Sequence, residues 1–89
     1  MGSNYRRASP EILWRLSTNL KRLREARGYT QKELADLCGL NKTYIGNVER
    51  ATINITLANL EAIANGLECT AEDLLRRPSS GGVSKDKSP

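Results

Sequence analysis

The chain has 89 residues with one Trp, no Phe and no His, and its 38% hydrophobic content suits one small aliphatic core rather than a large pocket. No run of 18 apolar residues is present and no charged-then-apolar leader opens the chain, so neither membrane insertion nor export is expected. The net charge of +4 is unevenly spread: residues 1–50 hold ten Lys and Arg against five Asp and Glu, while residues 51–89 hold four against five. The first half is therefore the one that attracts a polyanion.

Residues 1–8 are predicted to be a flexible N-terminal segment. A first helix begins at Ser9-Pro10-Glu11, where Ser caps, Pro suits the first helical position and Glu favours the positive end. Ile12, Leu13, Leu16, Leu20 and Leu23 recur on one face, and Gly28 is the stop. Arg24 sits at the edge of that apolar stripe, a costly place for a charge without a partner. Thr30 and Glu33 fit a capping box opening a second helix with Leu34, Ala35, Leu37 and Cys38 on its apolar face. Gly39 ends that helix after about two turns, and Asn41 is placed to cap a third.

In the third helix Ile45 and Val48 point inward, flanked by Tyr44 and Glu49, while Lys42, Thr43, Gly46, Asn47 and Arg50 cover the opposite side. Ala51–Ile55 is a loop. Thr56 caps a fourth helix with Leu57, Leu60, Ile63, Ala64 and Leu67 at helical spacing, and Gly66 is its expected end. Thr70-Ala71-Glu72-Asp73 opens a short fifth helix carrying Leu74 and Leu75. The domain spans residues 9–77, and the Ser-, Gly- and Lys-rich stretch 78–89 is predicted to be disordered.

The absence of His removes the usual zinc pairs and every His-based catalytic arrangement. Without a phosphate-cradling loop or a nucleophile beside a base, the chain is not expected to be an enzyme, and no catalytic residue, cofactor, metal or small-molecule ligand is assigned. Cys38 and Cys69, 31 residues apart, read as small buried thiols, with a disulfide as the alternative.

From Gln31 to Arg50 the small Ala35, the turn residue Gly39 and the inward Leu34, Cys38, Leu40, Ile45 and Val48 are similar to the helix-turn-helix pattern. With the other helices added, residues from about Asn19 to Leu75 resemble the phage Cro/repressor-like (XRE) helix-turn-helix family. The likeness includes Leu23–Gly28, Thr30–Gln31, Leu34–Ala35 and Glu49–Arg50. Leu40–Arg50 followed by Asn54-Ile55-Thr56-Leu57 is also similar to restriction–modification controller proteins, which are small homodimeric regulators.

The resemblance implies an all-α, compact five-helix lambda-repressor-like domain. It implies a cytoplasmic, sequence-specific regulator that binds a palindromic double-stranded operator as a homodimer, with the third helix in the major groove. Polar side chains on an outward helix suit base edges. Lys42 reaches guanine or phosphate, Thr43 offers a hydroxyl and a methyl, Asn47 suits adenine, and Arg50 suits phosphate or guanine. Asn41 is counted with these residues. Gly46 admits close approach to DNA or is neutral at an exposed site. Tyr44 either packs or contacts the DNA.

By resemblance, Gln31 and Asn54 meet phosphate, Arg24 and Glu49 form a structural ion pair, and Leu67, Leu74 and Leu75 build the dimer interface unless they close the monomer core. The competing reading is an antitoxin-like module whose main partner is a protein.

Overall fold

The computed structural model describes residues 6–78. These form α1 (Pro10–Ala26), α2 (Gln31–Cys38), α3 (Lys42–Glu49), α4 (Leu57–Leu67) and α5 (Ala71–Leu75), with no strand among them. The five-helix expectation holds. No described helix is long and apolar enough to cross a membrane. Of the expected disordered tail only Pro78 is described; residues 1–5 and 79–89 lie outside the described residues.

Each helix starts where a side chain satisfies an otherwise free N–H group. Ser9 Oγ accepts from Ile12 N, Asn41 Oδ1 from Tyr44 N and Thr56 Oγ1 from Asn59 N. Thr30 with Glu33, and Thr70 with Asp73, form reciprocal capping boxes. The Thr70 backbone N–H holds the Asp73 carboxyl below the usual carboxylate range.

The first four helices close alike. A residue in the left-handed region turns the chain back, so that the N–H groups of Tyr29, Leu40, Thr52 and Cys69 donate to the carbonyls of Arg24, Ala35, Asn47 and Ala64. Two of these turns use glycine, at Gly28 (φ +76°) and Gly39 (φ +72°), and two do not, at Ala51 (φ +60°) and Glu68 (φ +57°). The expected stop at Gly66 is therefore incorrect: α4 continues through Leu67, and Glu68 makes the turn. Gly66 serves packing instead. A Cβ there would stand 2.6 Å from Cys38 Sγ and 3.5 Å from Leu34 Cδ1, so a bare backbone is what lets α4 approach α2.

The core gathers Leu16 and Leu20 from α1, Leu34 and Ala35 from α2, Ile45 and Val48 from α3, Leu60, Ile63, Ala64 and Leu67 from α4, and Leu74 from α5. The buried Asn19 ties α5 down, its Nδ2 donating to the carbonyls of Leu74 (2.9 Å) and Arg76 (2.7 Å). This corrects the expected dimer interface: Leu67 and Leu74 are 0% exposed and close the monomer core, leaving only Leu75 with partial access. Two residues assigned to apolar faces are also outside. Leu37 is 55% exposed because α3 and α4 confine the buried stripe of α2 to Leu34 and Ala35, and Leu57 is 82% exposed at the first residue of α4.

Candidate nucleic-acid interface

The segment Gln31–Glu49 is two helices of eight residues joined by Gly39, Leu40 and Asn41. Gly39 makes the turn tight, and Leu40 folds back beside the core. Ile45 and Val48 then fix α3 from its inner side. Lys42, Thr43 and Arg50 are exposed and Asn47 half-buried, so the outer face is polar and carries cations. Among the described residues neither Lys42 nor Arg50 forms a salt bridge, so both charges are available to an anion.

Behind that face lies the ion pair foreseen from the resemblance. Arg24 Nε donates to Glu49 Oε2 at 2.6 Å and its Nη2 to Glu49 Oε1 at 3.2 Å, while Arg24 Nη1 donates to the Tyr29 carbonyl at 2.7 Å. The side chains are 11% and 5% exposed, so the pair is shielded and joins α1 to the end of α3. The carboxylate hydrogen bonds raise the Arg24 pKa above its already high ordinary value.

Gln31 belongs to this cluster. Its Nε2 donates to Glu49 Oε1 at 2.9 Å, so the side chain expected at phosphate faces inward and braces the ion pair from α2. Gly46 is also placed differently from expectation. It is buried rather than exposed, and a Cβ on it would lie 3.4 Å from Arg50 Nη1 and 3.7 Å from Gln31 Oε1. The Arg50 side chain covers Gly46 and donates from Nη2 to Asn47 Oδ1 at 2.5 Å. Two side chains singled out for base contact are thus bonded to each other in the free protein.

Three other singled-out residues have internal partners. Asn41 Oδ1 caps α3 through Tyr44 N at 2.7 Å. Tyr44 packs against the core and its hydroxyl accepts from Asn59 Nδ2 at 3.0 Å, which ties α3 to α4. Asn54 accepts from Ala8 N at 2.8 Å and donates to the Arg6 carbonyl at 3.1 Å. Residues 6–8, within the segment expected to be flexible, are thereby tied to the loop after α3. Sequence reasoning missed this strap, although the adjacent Arg6 and Arg7 were a visible signal. It also missed the exposed Leu57 face, for which helical spacing offered no signal.

Cys38 and Cys69 are free thiols, which answers the disulfide alternative. Burial pushes both thiol pKa values up, and at Cys69 the nearby Asp73 carboxylate adds to the rise.

A tight helical pair with a cationic, hydrogen-bonding outer face on its second helix defines the helix-turn-helix class of DNA-binding regulators. The chain belongs to the helix-turn-helix family (HTH_3), which it matches over residues 20–74. It is similar to the Neisseria hypothetical transcription factor of Neisseria meningitidis, with 43% identity over 63 residues, covering 71% of this chain and 59% of that protein's length. It is also similar to control protein C.SmaI of Serratia marcescens, with 39% identity over 62 residues, 70% of this chain and 74% of that one. Among solved structures, the restriction-modification controller protein C.AhdI from Aeromonas hydrophila superposes with a TM-score of 0.68 at 37% identity, over 70% of this chain and 94% of that one.

Proposed function

We propose that the protein regulates transcription as a homodimer on a palindromic operator, with α3 of each chain in the major groove. The observation that carries this reading is the outer face of α3, where Lys42, Thr43, Asn47 and Arg50 present hydrogen-bonding groups with no acid among them. Ile45 and Val48 anchor the helix from behind, and the Arg24–Glu49–Gln31 cluster sets its angle. Such side chains read base edges in the major groove.

The Arg50–Asn47 bond is compatible with the reading. Arg50 Nη2 takes one of the two lone pairs of Asn47 Oδ1, which leaves the other lone pair and the amide N–H groups for a two-bond contact with adenine, a contact that does not require Arg50 to move away.

The dimer forms through the exposed face around Leu57, with Leu75 and Ala71 beside it. A two-fold dimer places its reading helices roughly 34 Å apart, one turn of DNA, which a palindrome matches. The likeness to C.SmaI and C.AhdI supports the narrower role of a controller within a restriction–modification system.

The test is fluorescence anisotropy with duplex from upstream of the protein's own gene against scrambled duplex. A preference of about a thousandfold or more is expected, saturating at two chains per site. Asn47→Ala should reduce the preference by about 1–3 kcal/mol at one base pair. Equal binding to both duplexes sinks the regulator reading, and a monomer at high micromolar concentration in sedimentation sinks the dimer.

A further inference from the structure

Arg6 and Arg7 are two exposed cations that this reading leaves unused, and among the described residues neither forms a salt bridge. We infer that residues 6–8 are a basic strap that carries Arg6 and Arg7 to the DNA phosphates beside the C-terminal end of α3, with Asn54 as the residue that positions it. The inference rests on α3 being the helix that enters the groove.

The geometry is specific. The Asn54 side chain accepts from Ala8 N and donates to the carbonyl of Arg6, gripping alternate residues of one backbone stretch. The intervening Arg7 donates from Nη2 to the Thr52 carbonyl at 3.4 Å. Thr52 is itself locked to α3, since its backbone N–H and its hydroxyl both donate to the Asn47 carbonyl, at 3.1 and 3.0 Å. A continuous set of contacts therefore runs from the last turn of the reading helix to the Arg7 guanidinium. A helix of eight residues spans about 12 Å, close to the width of the major groove, so its end lies near one phosphate wall. The Thr52 carbonyl uses one of the five guanidinium N–H donors of Arg7, leaving the others for phosphate oxygens.

This placement gives Asn54 a role other than the direct phosphate contact expected from the sequence. It holds the backbone that bears the charges. The rival explanation for Arg7 is that it offsets the negative end of the α3 dipole. That role affects stability and leaves the ionic component of DNA binding untouched.

The experiment measures binding of the full chain, R6Q/R7Q, R6K/R7K and N54A to the upstream and scrambled duplexes across a salt series, with thermal melts as the check on folding. Losing two phosphate contacts per chain should flatten the slope of log affinity against log salt by about 1.8 for each chain bound, a weakening of about thirtyfold per chain near 0.15 M salt. R6Q/R7Q should show this loss on both duplexes alike, and R6K/R7K should keep the wild-type slope. N54A, with both charges present but unpinned, should bind more weakly than wild type.

A wild-type slope for a folded R6Q/R7Q overturns the strap. Wild-type affinity in N54A overturns the positioning role of Asn54. In either case wild-type discrimination between the duplexes leaves the regulator reading standing, whereas loss of discrimination in the wild type itself defeats that reading independently.

Discussion

Replacing Glu49 by Ala tests how α3 is held at its working angle. The substitution removes two of the three hydrogen bonds of Arg24, leaving only the Tyr29 carbonyl, and takes the acceptor of Gln31 as well. Breaking a buried ion pair from one side costs about 3–5 kcal/mol. Arg24 keeps an 11% exposed edge where water can partly replace the carboxylate, which favours the lower end. A domain of this size has a total stability of about 4–10 kcal/mol, so a loss of about 3 kcal/mol removes about 30% of it or more.

At about 4–8 °C per kcal/mol, the melting midpoint should fall by about 12–24 °C in circular dichroism melts. Arg24→Met/Glu49→Met strands no charge and should be more stable than Glu49→Ala alone. A Glu49→Ala midpoint within about 2 °C of wild type, or a double variant less stable than the single, refutes a buried, coupled pair.

Gly66→Ala should destabilise by about 1–3 kcal/mol through the contact with Cys38 Sγ. In a Cys38→Ala background the penalty should shrink or reverse, since Ala is the better helix former by about 1 kcal/mol; an equal penalty in both backgrounds, read by urea titration, removes the clash as its cause. Ala51→Gly relieves a left-handed residue at φ +60° and should stabilise by about 0.5–1 kcal/mol, the relief of about 1–2 less the extra chain entropy of glycine; a lower urea midpoint contradicts this. The Asp73 carboxyl is held low by the Thr70 N–H, so its contribution is complete above its unfolded value near about 3.9 and is lost as pH falls through the lower folded value. Melts between about pH 5 and 2 should therefore show a steeper loss for wild type than for Asp73→Asn, and parallel losses refute the capping role.

The sequence by itself determined the five helices and their start points. Caps and periodicity act between residues within four positions of each other, so Ser9, Thr30, Asn41, Thr56 and Thr70 were legible as starts. The polar outer face of α3 was legible for the same reason, and the family motif supplied the Arg24–Glu49 pair. Local signals failed where another element decided the outcome. Gly66 looks like a helix stop until α2 is laid against it. Gln31 looks free for phosphate until α3 brings Glu49 within 2.9 Å.

Leu67 and Leu74 look available to a partner until α5, pinned by Asn19, seals them in, and Leu57 looks buried although α4 begins outside the core. Nothing within four residues of Asn54 shows that it grips Arg6 and Ala8. Those assignments depend on how closely and at what angle helices distant in sequence approach, and only the tertiary structure decides that.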